Sequence, residues 1–282
     1  MTGASPAPFS ALAACMGEIA VRAGAIALDY FSPGGKTSAT ITLKDGGSPV
    51  SEADLAVDRF LREKLGGLAP DAGWLSEEST DEPARLERQS LFIVDPIDGT
   101  RAFIAGDNRW GISLALVSDA RPVAAALYMP AIGELYLAAS GSGATLNGAS
   151  IRATNHALLS GANVGGPRKT LEAMINGRTG IIAEARVPSL AYRLARVGSG
   201  AIDAALASTN AWDWDIAAAD LIVLEAGGLL TGLDGSQPRY NRERPRHGVL
   251  AAAGPRLHKP LLAAVQSIQH ANPAPASISA RS

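Results

Sequence analysis

The sequence predicts an α+β chain. Three patterns point there: a long amphipathic helix near the start, a strand–turn–strand meander at the centre, and an alternating helix and strand region after it. From Ser10, the residues Leu12, Cys15, Ile19, Ala23, Ile26 and Tyr30 recur at helical spacing, and Gly34-Gly35 stops the helix. Ala39 to Leu43 alternates and favours β-branched types, which reads as a strand. Ser51 caps a second helix, with Asp54 three residues on as the acidic form of a capping box and Leu55, Phe60, Leu61 and Leu65 as its apolar face. Leu91 to Val94 is a short buried strand that runs straight into Asp95-Pro96. Three strands follow at Ile112–Val117, Val123–Tyr128 and Glu134–Ala138, parted by turn signals at residues 119–122 and at Ile132-Gly133, so they form an antiparallel meander. Helices near Leu190–Ala207 and Ile216–Ala226, a strand near Gly248–Ala253 and a helix near Pro255–Ile268 complete the pattern. Two closely packed halves are expected, 8–145 and 146–270, with 271–282 as a disordered tail.

Composition excludes several classes. Of 282 residues, 47% are hydrophobic and 18% charged, which are globular proportions and rule out general disorder. Twenty-five Lys+Arg against 27 Asp+Glu give a net charge of −2, so there is no basic surplus for a nucleic-acid polymer or an acidic membrane surface. The apolar stretch Phe9 to Phe31 carries Glu18, Arg22 and Asp29 and has no basic residue before it, unlike a signal peptide or a membrane span. A lone cysteine, Cys15, cannot close an internal disulfide. A soluble, cytoplasmic protein is expected.

Several tempting signatures fail. Gly35-Lys36-Thr37 ends like a phosphate-binding loop, but Tyr30 stands where its first glycine belongs. Gly141-Ser142-Gly143 and Gly198-Ser199-Gly200 open like dinucleotide fingerprints and break at Leu146 and Asp203. No serine sits in a G-x-S-x-G elbow, and His156, His247, His258 and His270 lack metal spacing and read as surface residues.

What remains is acidic. Asp95-Pro96-Ile97-Asp98-Gly99-Thr100 follows an apolar strand, so two aspartates three apart can face one locus at its C-terminal end. If a helix starts there, the N–H groups of Asp98, Gly99 and Thr100 form an anion site beside the acids. Carboxylates beside an anion site repel the anion unless a cation lies between, and hard oxygen ligands of this kind suit Mg²⁺. An acidic helix-capping turn is the other reading. Glu77-Glu78, after Trp74-Leu75-Ser76, reads alone as a solvated pair, and Asp213 or Asp215 alone as an N-cap before an Ala-rich helix. Capping does not explain the three features together.

The set resembles the inositol monophosphatase superfamily, which includes inositol phosphatases, 3′(2′),5′-bisphosphate nucleotidases and some histidinol phosphatases. Its two signatures stand here as Phe92-Ile93-Val94-Asp95-Pro96-Ile97-Asp98-Gly99-Thr100 and Trp214-Asp215-Ile216-Ala217-Ala218-Ala219, with Glu77-Glu78 and the segment Ser48 to Asp54 upstream. The resemblance spans roughly residues 10–268. It implies a layered αβαβα sandwich and a Mg²⁺-dependent phosphomonoesterase using two or three ions and a metal-activated water. Glu77, Asp95 and the Ile97 carbonyl would hold the first ion; Asp95, Asp98 and Asp215 the second; Glu77 would help a third. Thr100 would orient the attacking water, and the backbone of Asp98, Gly99 and Thr100 would receive the phosphate. Lithium sensitivity and a homodimer are also implied.

Four departures from the family pattern stand out, and the last two bear on the substrate. Ser76 and Ser51 replace a common Gly and Thr. Nucleotidase-like members carry an Asp two residues before Ser-Pro, whereas Asp45 here is three before it, making Asp45 the candidate partner of Thr100 in activating water. Inositol-specific members have a Glu seven residues before the Asp of the second signature, and that position here is Ser208. This leans from inositol monophosphate toward a 3′(2′),5′-bisphosphate nucleotide, with Lys44, Arg168, Lys169 and Arg193 as cations available for a second phosphate. A histidinol-phosphate or broad sugar-phosphate phosphatase is the alternative. A non-catalytic metal- or phosphate-binding regulator is the other class.

Overall fold

Alternation along the central strands decides the architecture. A computed structural model describes residues 8–44 and 46–271. The chain opens with α1 (Pro8–Leu28), the pair β1 (Ile41–Leu43) and β2 (Pro49–Ser51), and α2 (Glu52–Leu68). Next come β3 (Gly73–Ser76), β4 (Ser90–Asp98), the single-turn α3 (Thr100–Ile104), then β5 (Gly111–Ser118), β6 (Arg121–Met129), β7 (Glu134–Ala139), β8 (Gly143–Leu146) and β9 (Ala149–Ser150). β3 to β9 form one seven-stranded sheet in sequence order, parallel at β3–β4 and antiparallel from β4 onward.

Phe92, Val94, Ile112, Leu114, Leu116, Ala124 and Ala126 point to one face of this sheet and bury against Met16, Ala20, Ala23, Val57 and Leu61 of α1 and α2. Their neighbours Leu91, Ile93, Ala115, Val117, Ala125 and Leu127 point to the opposite face, as period two requires. That second face packs on α5 (Leu190–Gly198) and α6 (Asp213–Glu225).

A second sheet lies beyond them. It contains β10 (Asn163–Gly165), β11 (Ile182–Ala183), β12 (Ala204–Ala207), β14 (Leu229–Gly232) and β16 (Leu250–Ala253), in the order β11-β10-β12-β16-β14. Between them in the chain, β13 (Ala211–Trp212) pairs with β15 (Arg246–His247). Leu230, Leu250 and Ala252 face α6, while Val164, Leu206, Ala251 and Ala253 face α4 (Arg168–Asn176) and α7 (Pro255–Ala271). The stack is therefore α1/α2, sheet, α5/α6, sheet, α4/α7: the layered αβαβα sandwich.

Most element positions agree with the sequence reading. The helix expected over Leu190–Ala207 stops at Gly198, and Ala204–Ala207 is strand β12. Leu55 is exposed; Ala53, Asp54, Val57, Asp58, Leu61 and Leu65 form the buried face of α2. The strand expected to end at Val94 continues to Asp98. His247 and His258 are buried rather than on the surface. The tail 272–282 lies outside the described residues, as does Asp45.

Candidate active site and metal centre

β4 runs apolar and buried from Leu91 to Val94, then carries its acids without leaving the sheet. Asp95 pairs with Ser113 and Asp98 with Gly111 across β5, and the register shifts between them. This bulge keeps both aspartates at one end of the strand. Gly99 follows with φ +96°, a left-handed conformation, and a Cβ there would press on the Arg109 carbonyl oxygen at 3.3 Å. Glycine serves both needs.

Asp215 reaches the same place from α6. Trp212 donates its N–H to Asp215 Oδ2 at 2.7 Å, fixing the carboxylate in the first helical turn. Asp213, two residues earlier, accepts from Asn241 N–H and pairs with His247 Nε2 at 2.7 Å, and Ser113 Oγ donates to the Trp214 carbonyl. Side-chain oxygens of Asp95, Asp98 and Asp215 then all lie within 4.8 Å of one another.

The electrostatics of this triad are adverse for bare carboxylates. Burial, followed by the charges of Glu77, Asp98 and Asp215, raises Asp95 well above the ordinary aspartate range. Burial, then the charge of Asp98, does the same to Asp215. Asp98 is pushed by burial only to about 6, because Ser189 Oγ and the N–H groups of Leu190 and Ala191 donate to it at 2.5, 3.2 and 2.7 Å. The start of α5 thus holds Asp98 in place.

Glu77 sits at the C-terminal end of β3, beside Val94 of β4. It lies near enough to raise Asp95, but its Oε1 faces Lys44 Nζ at 3.1 Å, and the same ammonium meets Glu78 at 2.8 Å. Burial still pushes Glu78 up to about 7. Asp58 of α2 clamps this turn, accepting from Ser76 Oγ at 2.5 Å and Ser79 Oγ at 2.7 Å.

Thr100 opens α3, and its hydroxyl stands 3.1 Å from the Ile97 carbonyl oxygen and 3.2 Å from Asp54 Oδ1. The other oxygen of Asp54 accepts the N–H and Oγ–H of Ser51, closing the capping box. Burial holds the Asp54 carboxyl above the usual range despite these donors.

The structure brings Asp95, Asp98 and Asp215 into one cluster and sets Ile97, Gly99 and Thr100 along its edge. Sequence reading missed Asp54 as the partner of Thr100, although the capping box it did identify accounts for only one carboxylate oxygen. Ser189, Asp58 and the Lys44 ion pairs carried no local signal, because each meets its partner only through the fold.

The chain is similar to known proteins along most of its length. Over 246 residues the chain is 29% identical to the 3′(2′),5′-bisphosphate nucleotidase CysQ of Aggregatibacter actinomycetemcomitans, covering 80% of this chain and 86% of that protein. It is 32% identical over 236 residues to the inositol-1-monophosphatase of Rhizobium meliloti, covering 80% and 87%. The crystal structure of the extragenic suppressor protein SuhB from Bartonella henselae superposes with a TM-score of 0.79 at 28% identity, covering 91% of this chain and 98% of that one. Residues 10–270 match the model of the inositol monophosphatase family. The chain thus belongs to that family and, with it, to the hydrolases of phosphoric monoesters.

Proposed function

We propose that the protein is a Mg²⁺-dependent phosphatase of a small phosphorylated metabolite. One observation carries the reading: three carboxylates from β4 and α6, with Asp95 and Asp98 buried and Asp215 half-buried, converge within 4.8 Å with no basic side chain hydrogen-bonded to any of them among the described residues. Such a group costs free energy unless protons or a cation compensate it, and an all-oxygen donor set suits Mg²⁺. Asp95, Asp98, Asp215, the Ile97 carbonyl and Glu77, once released from Lys44, would hold the ions. Bound there, Mg²⁺ would neutralise phosphoryl charge and lower the pKa of the attacking water.

The remaining work falls to the chain. Thr100 orients the water with its hydroxyl, and Asp54 Oδ1, 3.2 Å away, accepts the threonine proton and fixes that orientation. Asp54 fills the role expected of Asp45. The backbone of Asp98, Gly99 and Thr100 at the mouth of α3 receives the phosphate. A cavity of about 800 Å³ lined by Gly166, Arg186, Arg193 and Ser208 lies nearby, with Arg193 in the field of Asp98 and Asp215. Ser208 offers a hydroxyl where an inositol-reading carboxylate would stand, which favours a 3′(2′),5′-bisphosphate nucleotide over inositol monophosphate.

The test is Mg²⁺-dependent phosphate release, with and without Li⁺, from inositol 1-phosphate, adenosine 3′,5′-bisphosphate, histidinol phosphate and fructose 1,6-bisphosphate. Release that needs Mg²⁺ and is lost in Asp95→Asn, with an unchanged circular dichroism spectrum, supports the reading. Full activity in that variant would remove the metal centre from the mechanism, and no release from any substrate would leave a binding protein.

A further inference from the structure

A cavity of about 760 Å³ opens beside Glu77, and two stretches far apart in the chain wall it. Ser76, Glu77 and Asp81 stand on one side, and Trp212, Trp214 and Arg246 on the other. The first wall carries the outlying metal ligand, and the second leads into Asp215. Ligand distances at a metal site tolerate only a few tenths of an ångström of drift, so whatever joins the walls bears on metal affinity.

The second wall is pinned to α6. Asp213 accepts the Asn241 N–H at 3.0 Å, meets His247 Nε2 at 2.7 Å and donates its own N–H to the Pro245 carbonyl at 2.9 Å. Tyr240 donates its hydroxyl to Asp220 Oδ2 at 2.9 Å. Residues 240–247 therefore move with the helix that carries Asp215. The first wall is pinned elsewhere. Asp58 of α2 holds Ser76 and Ser79. Arg85, in the 3₁₀ turn Pro83–Glu87, grips Asp81 through Nε at 2.5 Å and Nη2 at 2.9 Å.

Arg85 also crosses between the walls. It is only 3% exposed, and its Nη1 donates to Asn241 Oδ1 at 2.7 Å while Nη2 donates to the Arg242 carbonyl at 3.0 Å. Asn241 Nδ2 donates back to the Arg85 carbonyl at 3.2 Å. Among the described residues, these three are the only hydrogen bonds that join residues 73–88 to residues 209–247. A planar guanidinium shared by a carboxylate, an amide and a carbonyl fixes both distance and angle.

We propose that Arg85 and Asn241 form a positioning clasp for the metal centre: together they set the spacing between Glu77 and Asp215, and with it the affinity for Mg²⁺. This rests on the metal-dependent reading above and deepens it with two residues that act through others.

The test is calorimetric titration of Mg²⁺ into chelator-treated protein, paired with a melt of the same metal-free sample. Asn241 lies at φ +57°, a left-handed conformation that glycine adopts freely, so Asn241→Gly removes the amide without redirecting the chain. Its Mg²⁺ affinity should fall by about tenfold to a hundredfold, the usual cost of losing a group that orients metal ligands. Arg85→Lys, which keeps a cation beside Asp81 but loses the fork, should weaken binding similarly. Asn241→Asp keeps an oxygen for Arg85 Nη1 and should recover most of the wild-type affinity. A pair that served the fold alone would lower the metal-free melting temperature and leave Mg²⁺ affinity untouched. Wild-type affinity in Asn241→Gly and Arg85→Lys therefore overturns the clasp, as does an Asn241→Asp variant that binds no better than Asn241→Gly. Should Arg85→Lys fail to fold, the two Asn241 variants decide the matter. Wild-type protein that binds no Mg²⁺ at all would overturn the metal-dependent reading itself.

Discussion

Asp54 divides one carboxylate between two tasks. Oδ2 closes the cap of α2 on Ser51, and Oδ1 meets the hydroxyl of Thr100. The tasks separate by substitution. Asn at position 54 keeps a carbonyl oxygen for one contact but cannot take a proton, so Asp54→Asn should lower kcat by about a hundredfold or more, within the range of general-base loss. KM and the Mg²⁺ concentration for half-activity should stay close to wild type. Ser51→Ala should do the reverse, costing about 1 kcal/mol of stability through the lost cap while turnover at saturating Mg²⁺ persists. Steady-state kinetics and thermal melts on both variants check this, and undiminished kcat in Asp54→Asn would show that Thr100 holds the water without it. The cap was legible because it is local, three residues apart. The contact with Thr100 was not, because it spans α2 to α3 and follows from where the seven-stranded sheet carries β4.

At the scale of elements, α6 is the piece on which most depends. Ala217, Ala218 and Ala219 are fully or almost fully buried, and the helix has sheet on both sides. Alanine there lets both sheets approach and brings Asp215 up to β4. Ala218→Leu should therefore destabilise by about 1–3 kcal/mol, as overpacking does, and should also weaken Mg²⁺ binding by displacing Asp215. A melt together with a Mg²⁺ titration of activity tests both parts, and a variant that melts like wild type would show slack in this layer. The meander was readable because its central strands are short apolar runs, buried on both faces, with turns marked at residues 119–122 and at Gly133. β12 was not. Its Ala-Ala-Leu-Ala sequence favours helix locally and becomes strand because β10 and β16 supply partners on its two edges.

For the molecule as a whole, the buried acids couple stability to pH. Asp98 and Asp220 are each raised by burial from 3.8 to about 6, and Asp95 and Asp215 shift the same way. Between about pH 4 and 6 the native state therefore holds more protons than the unfolded chain, so stability falls as pH rises. His258 opposes this, since burial lowers it and favours the native state at higher pH, but it is one group against six, because Asp54 and Glu78 are raised as well. Metal-free protein should melt at a higher temperature at pH 5 than at pH 7.5. Saturating Mg²⁺ should raise the melting temperature at pH 7.5 and much less at pH 5, where protons compete for the carboxylates. Calorimetric scans with and without chelator read this directly; a metal-free protein more stable at pH 7.5 would sink the account. The origin of the triad has one more consequence. Two of its aspartates come from β4 and the third from α6, which the chain reaches only after the meander and the first strand–helix units of the second sheet. A ribosome-bound chain that has exposed β4 alone owns an incomplete chelator. Capture of the ion is then the closing event of assembly, a latch set by the finished topology rather than a seed that starts it.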